Sequence, residues 1–391
     1  MYPLKISDYA GAMAALKHPE LAQALYDDGR VVMADALITL HGKAHSQRRL
    51  AELKVFNRRY FQTYERAVFP QKIEPIVREF IEAGRVDLVE FGYRITMHLT
   101  ADFAGIDHAA DPEVVESLLA LVKVFSAGAT LVHSTRDRHQ VEADVHRAMT
   151  EFDHQFLQPS IERRRALRSR GATLPNDVLS QLVELHSPLA LTDEILRREM
   201  AFYLQAGAHS TANAMIHAVH NLFEWRRQNP TQTALFKDPA FIQKAVHESL
   251  RLHPASPVAR RRALSPIKLN QQLVPEGTIV TIDLEAANRD PSVFGSNADQ
   301  FDPQRALPGN VWPFGLSFGY GVHACLGKAL DGGVVPNPKS NNHQHYGIVA
   351  LLVHILLKHN ARWIEHDPPR LDPNTVRRNW GYYPVSLENF K

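Results

Sequence analysis

From the start of the chain to about Leu252, apolar residues recur three and four positions apart and strict apolar–polar alternation is rare. That spacing lays them along one face of amphipathic helices. Leu118, Leu119, Leu121, Val122 and Phe125 make one such face, and Val178, Leu182 and Leu185 another. Asn176 is placed to cap the second, because its side chain can accept from the first free backbone amides. Thr192, ahead of Asp193 and Glu194, opens a long helix through Ala201 and Gly207 to about Trp225. After Arg251 the texture changes: Pro254, Pro257, Pro266, Pro275, Pro291, Pro303, Pro308 and Pro313 exclude long helices, since proline lacks the amide hydrogen and disfavours helix in the residue before it. Within that region Pro275 to Gly277 reads as a turn, and Thr278 to Ile282 as a β-branched strand. Asp331 to Tyr346, rich in Gly, Pro and Asn, reads as an exposed surface loop, behind which Ile348, Leu351, Leu352, Ile355 and Leu356 resume a helical face. The pattern predicts a mainly α protein with a small β part. Without an internal repeat or low-complexity linker, residues 1–391 are expected to form a single domain.

Composition narrows the function classes. With 44 Lys+Arg against 42 Asp+Glu the net charge is +2, and no basic surplus or stripe marks a nucleic-acid binder. At 45% hydrophobic and 22% charged residues the chain has the makeup of an ordinary globular protein. No apolar run follows a basic cap at the N-terminus, and Ile348 to Leu357 is too short to span a bilayer, which takes roughly 20 apolar residues. A cytoplasmic protein without a membrane anchor is expected. A single cysteine, Cys325, excludes an internal disulfide and any multi-cysteine zinc or iron–sulfur site, leaving a core thiol or a functional one.

Cys325 stands in Phe318-Gly-Tyr-Gly321-Val-His323-Ala-Cys325-Leu-Gly327. Glycines around the thiol let backbone pass close to a planar ligand and free amides to point at sulfur, and such donors favour the thiolate that binds metal. A cysteine buried in a Gly-rich turn is the plainer reading of a lone thiol. Its neighbours decide between them. The stretch resembles the cysteine-ligand loop of the cytochrome P-450 family, FxxGx(R/H)xCxG, at Phe318, Gly321, His323, Cys325 and Gly327. The family's ExxR marker stands at Glu248 and Arg251, and Phe301-Asp-Pro303-Gln-Arg305 resembles its meander, whose arginine completes a buried Glu–Arg–Arg network. His45 and Arg49 resemble the HxxxR pair that contacts haem propionates. Arg261 stands fourteen positions before Pro275, where the family's further propionate-binding arginine falls.

The resemblance implies a cytochrome P-450 fold, haem b (iron protoporphyrin IX) as cofactor and Cys325 as the iron ligand, with Phe318, His323 and Gly327 around it. Ala206-Gly207-Ala208-His209-Ser210-Thr211 is similar to the family's oxygen-binding (A/G)Gx(D/E)T motif, with His209 in place of the acid and Ser210 in place of the threonine. Ser210 or Thr211 can bond back to the helix, and His209 either relays protons, as an imidazole can near neutral pH, or merely fills a polar notch. Tyr203, Gln205, Ala206, Val258 and Ala259 are implied to line a pocket for a small to medium hydrophobic substrate. The activity implied is monooxygenation, plausibly in secondary metabolism, with electrons from NADH or NADPH through a ferredoxin reductase and ferredoxin. A peroxide-dependent or non-oxygenating haem-thiolate enzyme is the alternative, and a non-catalytic haem sensor a further one. Two departures from the family stand out: little sequence precedes His45 to build the usual N-terminal helix and sheet segment, and residues 331–346 form an insertion on the face where the electron donor docks, bringing Lys339, His343 and His345 to it.

Overall fold

The computed structural model describes residues 4–108, 111–186, 188–269, 271–335 and 345–388. Nine of its helices position the site: α1 (Tyr9–Lys17), α2 (Gly42–Glu52), α3 (Leu88–Ala104), α4 (Pro112–Ala129), α5 (Val178–Glu184), α6 (Asp193–Gln228), α7 (Pro239–Leu252), α8 (Lys328–Gly332) and α9 (Ile348–Lys358). The amphipathic faces read from spacing fall in α4 and α5. The cap of α5 is Asp177 rather than Asn176: its carboxylate accepts from Ser180 N at 2.7 Å. Two adjacent Asx residues compete for that position, and Asp177 is additionally held by Arg164 at 2.6 Å.

The long helix α6 begins at the expected cap, where Thr192 Oγ1 accepts from Ile195 N at 3.2 Å. Met200, Ala201, Phe202, Tyr203 and Leu204 are buried one after another, and Ala212 to Val219 likewise, so burial runs round the helix, as expected of one that runs through a core instead of along its edge. α3 crosses it so closely that a Cβ on Gly207 would sit 2.1 Å from Thr100 Cγ2. Glycine at 207 is therefore a packing requirement, which offsets its cost of about 1 kcal/mol in a helix interior.

The strand expected after Pro275 is present at Ile279–Asp283, with Val280 and Ile282 buried. It pairs antiparallel with Val258–Ala263 and parallel with Leu4–Ile6, and Leu21–Gln23 completes a four-stranded sheet on the outer edge of Val258–Ala263. α1 covers this sheet through Tyr9, Ala12 and Leu16 in a second, smaller core. The residues before His45 thus do build a helix and two sheet strands, contrary to the expectation that they were too few.

The segment 331–346 is not a surface loop at either end. Asp331 and Gly332 complete α8, and His345 is buried. The chain leaves and returns at one point: a Cβ on Gly347 would lie 2.3 Å from Gly333 N, and Val334 N donates to His345 O at 2.9 Å. Backbone groups buried at such a crossing need partners. Gln243 Nε2 reaches His345 O and Tyr346 O, each at 3.0 Å, and Glu65 accepts from Tyr346 N at 3.2 Å and Gly347 N at 3.1 Å. His345 Nε2 meets Ala329 O at 2.6 Å and its Nδ1 lies against the Glu65 carboxylate. The expectation that His345 faces a docking partner is corrected by this burial, while Lys339 and His343 lie outside the described residues.

Candidate functional site

One cavity collects the side chains that the motifs singled out. His45 and Arg49 enter it from α2, Tyr203, Gln205 to Gly207 and His209 to Thr211 from α6, Val258, Ala259 and Arg261 from the sheet, and Phe318, His323, Cys325 and Gly327 from the loop before α8.

The cysteine loop is fixed by Cys325 N donating to Phe318 O at 2.8 Å. The Sγ faces the cavity, and the Gly327 amide points at it. Burial pushes the thiol up to about 11, with the Asp331 carboxyl adding to the rise, while the Gly327 N–H, Arg49 and Lys328 oppose it. A bound cation reverses that balance, because a coordinating thiol gives up its proton.

At one edge of the cavity four basic groups converge. The rings of His45 and His323 are 4.4 Å apart. Arg49 Nη2 donates to Ala324 O at 2.6 Å and Arg261 Nη1 to Gln23 Oε1 at 2.5 Å. Burial, reinforced by neighbouring cations, pushes His45 down to about 4 and His323 to about 3, and burial takes Arg261 down to about 10. Among the described residues none of the four has an ion pair, and the Nε2 atoms of both histidines are buried without a partner. Buried cations and orphaned ring nitrogens beside an inward-facing thiol fit haem b, whose propionates supply the missing negative charge and whose iron takes the sulfur.

The Glu–Arg–Arg network lies beside the cavity instead of in it. Glu248 accepts from Arg251 Nε at 2.7 Å and Nη2 at 2.6 Å, from Arg305 Nε at 3.0 Å and from Asp302 N at 3.1 Å. Arg251 Nη1 donates to Asn288 O and Ala298 O, each at 2.6 Å. The network therefore ties α7 to the proline-punctuated stretch that leads to the cysteine loop.

Across the cavity, Ser210 Oγ donates to Ala206 O at 2.5 Å, the bond back to the helix anticipated for it. His209 is closed off: Nδ1 contacts the Tyr93 hydroxyl, and Asn379 Nδ2 approaches Nε2 at 3.4 Å. Burial, then the charge of Arg377, holds its pKa well below the ordinary value. Both ring nitrogens thus have a polar neighbour, Tyr93 on one side and Asn379 on the other. Thr211 turns instead to a carboxyl that sequence reasoning missed. Its Oγ1 donates to Asp331 Oδ1 at 2.8 Å, and burial pushes Asp331 up to about 7. Asp331 was hidden because the Gly–Pro-rich residues after it give the whole stretch the look of a loop.

Tyr203, Gln205, Ala206, Val258 and Ala259 all line the cavity. Tyr203 spends its hydroxyl on the buried Glu52 carboxyl, which lies near Glu199; Glu199 in turn accepts from Arg48 Nη1 at 2.6 Å. Spacing along α2 gave no sign of Glu52, since a charged residue between Ala51 and Leu53 at a helix end reads as a solvated one.

Comparison with known proteins agrees with this geometry. Residues 113–330 match the family described as Cytochrome P450. The chain is similar to putative cytochrome P450 133B1 of Xylella fastidiosa, at 29% identity over 75% of this chain and 67% of that protein. It is also similar to pulcherriminic acid synthase of Bacillus subtilis, at 26% identity over 83% of this chain and 78% of that one. The biotin biosynthesis cytochrome P450 of Bacillus subtilis is 27% identical over 62% of this chain and 55% of its own length. The crystal structure of P450BioI in complex with hexadec-9Z-enoic acid ligated acyl carrier protein superposes with a TM-score of 0.75 at 21% identity, over 98% of this chain and 91% of that one.

Proposed function

Because the chain belongs to the cytochrome P450 family, whose members are haem-thiolate monooxygenases, we propose that it inserts one oxygen atom of O2 into a small to medium hydrophobic substrate, drawing electrons from a ferredoxin. The observation that carries this reading is the sole thiol, Cys325, facing the same cavity as Ser210 and the basic edge of Arg49 and Arg261. When bound, haem b supplies the oxidation itself, with O2, two electrons and two protons yielding oxidised substrate and water.

The chain's own residues supply placement, charge and protons. Cys325 would hold the iron, and the Gly327 amide would stabilise its negative sulfur. His45, Arg49, Arg261 and His323 would hold the propionates. Leu25, Phe56, Leu99, Phe103 and Phe202 give the substrate side an apolar wall that excludes water. In the place of the family's acid, His209 is spent on Tyr93 and Asn379. Proton delivery falls to the Ser210 and Thr211 hydroxyls, of which Thr211 is tied by its Oγ1 to Asp331 at 2.8 Å. We place the enzyme in the cytoplasm, where ferredoxin and its reductase are available, and in secondary metabolism.

Reduced protein exposed to carbon monoxide should absorb where thiolate-ligated haem does, and Cys325→Ser should abolish that band. Product formation with NADH, ferredoxin reductase and ferredoxin, compared with peroxide alone, tests the electron source. A peroxide-fed reaction is the second reading, favoured by the absence of a carboxylate at position 209. Turnover with peroxide and none with ferredoxin would establish it.

A further inference from the structure

Resting on the reading of this cavity as the substrate site, we infer that the substrate carries a carboxylate and that Arg377 binds it. Arg377 lies in the hairpin between the strands Arg370–Leu371 and Trp380–Tyr382 and lines the cavity. Its guanidinium is held by neutral oxygens alone: Nη1 donates to Ala255 O at 3.2 Å, Nη2 to Thr130 Oγ1 at 3.2 Å, and Nε to Thr375 Oγ1 at 3.4 Å. Three elements therefore fix its position: the residue after α4, the stretch leading to Val258, and the hairpin itself. Of its five N–H groups these contacts use three, leaving one on each Nη to donate to a further acceptor such as a carboxylate.

Among the described residues Arg377 has no ion pair. The acid in its field, Asp372, accepts from Asn374 N at 2.9 Å and makes no salt bridge with it. Burial and the absence of a partner make this cation costly unless an anion arrives. Beside it stands His133, whose buried Nε2 also lacks a partner and which burial, then Arg377, pushes down to about 4. The spot adjoins the propionate edge, with Tyr26 in the field of both Arg261 and Arg377; from there Arg377 acts on His133 and His209, while Arg261 acts on His323. The surrounding wall is mostly apolar. A fixed fork of two donors at one point of such a wall selects an acid with an apolar body, gripped at its carboxylate.

The test uses haem-loaded protein, with octanoate, dodecanoate and phenylbutyrate each compared with its own primary amide by calorimetry. At least one acid is expected to bind more tightly than its amide by roughly tenfold to a hundredfold, the range of a charge-assisted hydrogen-bonded pair. Arg377→Gln should erase that preference without changing affinity for the amide, and Arg377→Lys should keep part of it. An unchanged carbon monoxide band in both variants shows that they are folded and loaded. No acid preferred over its amide in the parent, or a preference that survives Arg377→Gln, overturns the inference. Because calorimetry does not depend on the haem spectrum, a missing thiolate band would defeat the functional reading separately from this one.

Discussion

Glu248→Ala isolates what the Glu–Arg–Arg network contributes. The substitution removes both carboxylate oxygens from four donors, Arg251 Nε and Nη2, Arg305 Nε and Asp302 N. Arg251 and Arg305 keep their carbonyl partners but lose their counter-charge, at side-chain exposures of 0% and 5%. Breaking a buried pair by deleting one member costs about 3–5 kcal/mol, since the remaining charge is stranded out of water. That is a large share of the roughly 5–15 kcal/mol by which folded proteins exceed their unfolded chains. For 391 residues, an unfolding entropy of about 2.1 cal/mol/K per residue converts this loss into a fall in melting temperature of about 4–6 °C. Thermal unfolding followed by circular dichroism reads that fall directly, and holoprotein yield should drop with it, because Arg251 and Arg305 anchor the stretch leading to Cys325. Glu248→Gln serves as the control of shape: it keeps an acceptor but not the charge, and should lie between parent and alanine variant. A Glu248→Ala protein that melts within about 1 °C of the parent, with normal haem content, would refute the reasoning.

Further outcomes follow from the buried titratable groups and the insertion. His217 and His247 are buried and His209 and His253 half-buried, with pKa values held down mainly by desolvation, His217 and His247 at about 4. Their folded pKa lies below the unfolded one, so the stability they contribute is present above about pH 6.5 and lost as pH falls. Melting temperature should therefore decline from pH 6.5 to pH 4, and a flat profile would contradict their burial. Asp331 works in the opposite sense: with its folded pKa raised to about 7, its contribution is complete below about pH 4 and lost as pH rises toward 7. Asp331→Asn should thus melt higher than the parent at pH 8 and show no such gain at pH 4. Equal melting at pH 8 would mean that Asp331 is not buried as described. Joining Val335 to His345 keeps the buried base made by Gln243 and Glu65. This shortened chain should melt like the parent while its reduction rate by ferredoxin changes more than its substrate affinity, and stopped-flow rates identical across several ferredoxins would exclude a docking role.

The sequence alone determined the parts whose chemistry is local. The helical faces, the Thr192 cap, the strand after Pro275 and the cysteine loop are set by residues a few positions apart, and the structure places them where the spacing put them. Glu248 and Arg251 share a helix face, so their bond could be read from an i, i+3 interval. Tertiary structure decided what depends on residues far apart in the chain. Gly207 looks like a weak point in a helix until Thr100 of α3 closes against it. Residues 331–346 have the composition of a surface loop, yet both ends are buried because Glu65 and Gln243, distant in sequence, satisfy the backbone where the chain crosses itself. His209 occupies the position of a proton-relaying acid but is engaged by Tyr93 and Asn379, 116 and 170 residues away along the chain. The charge of Arg377 is visible in the sequence; that no carboxylate among the described residues pairs with it inside the cavity is not. Burial removes water as the default partner, so the roles of these groups depend on what the fold brings within hydrogen-bond reach.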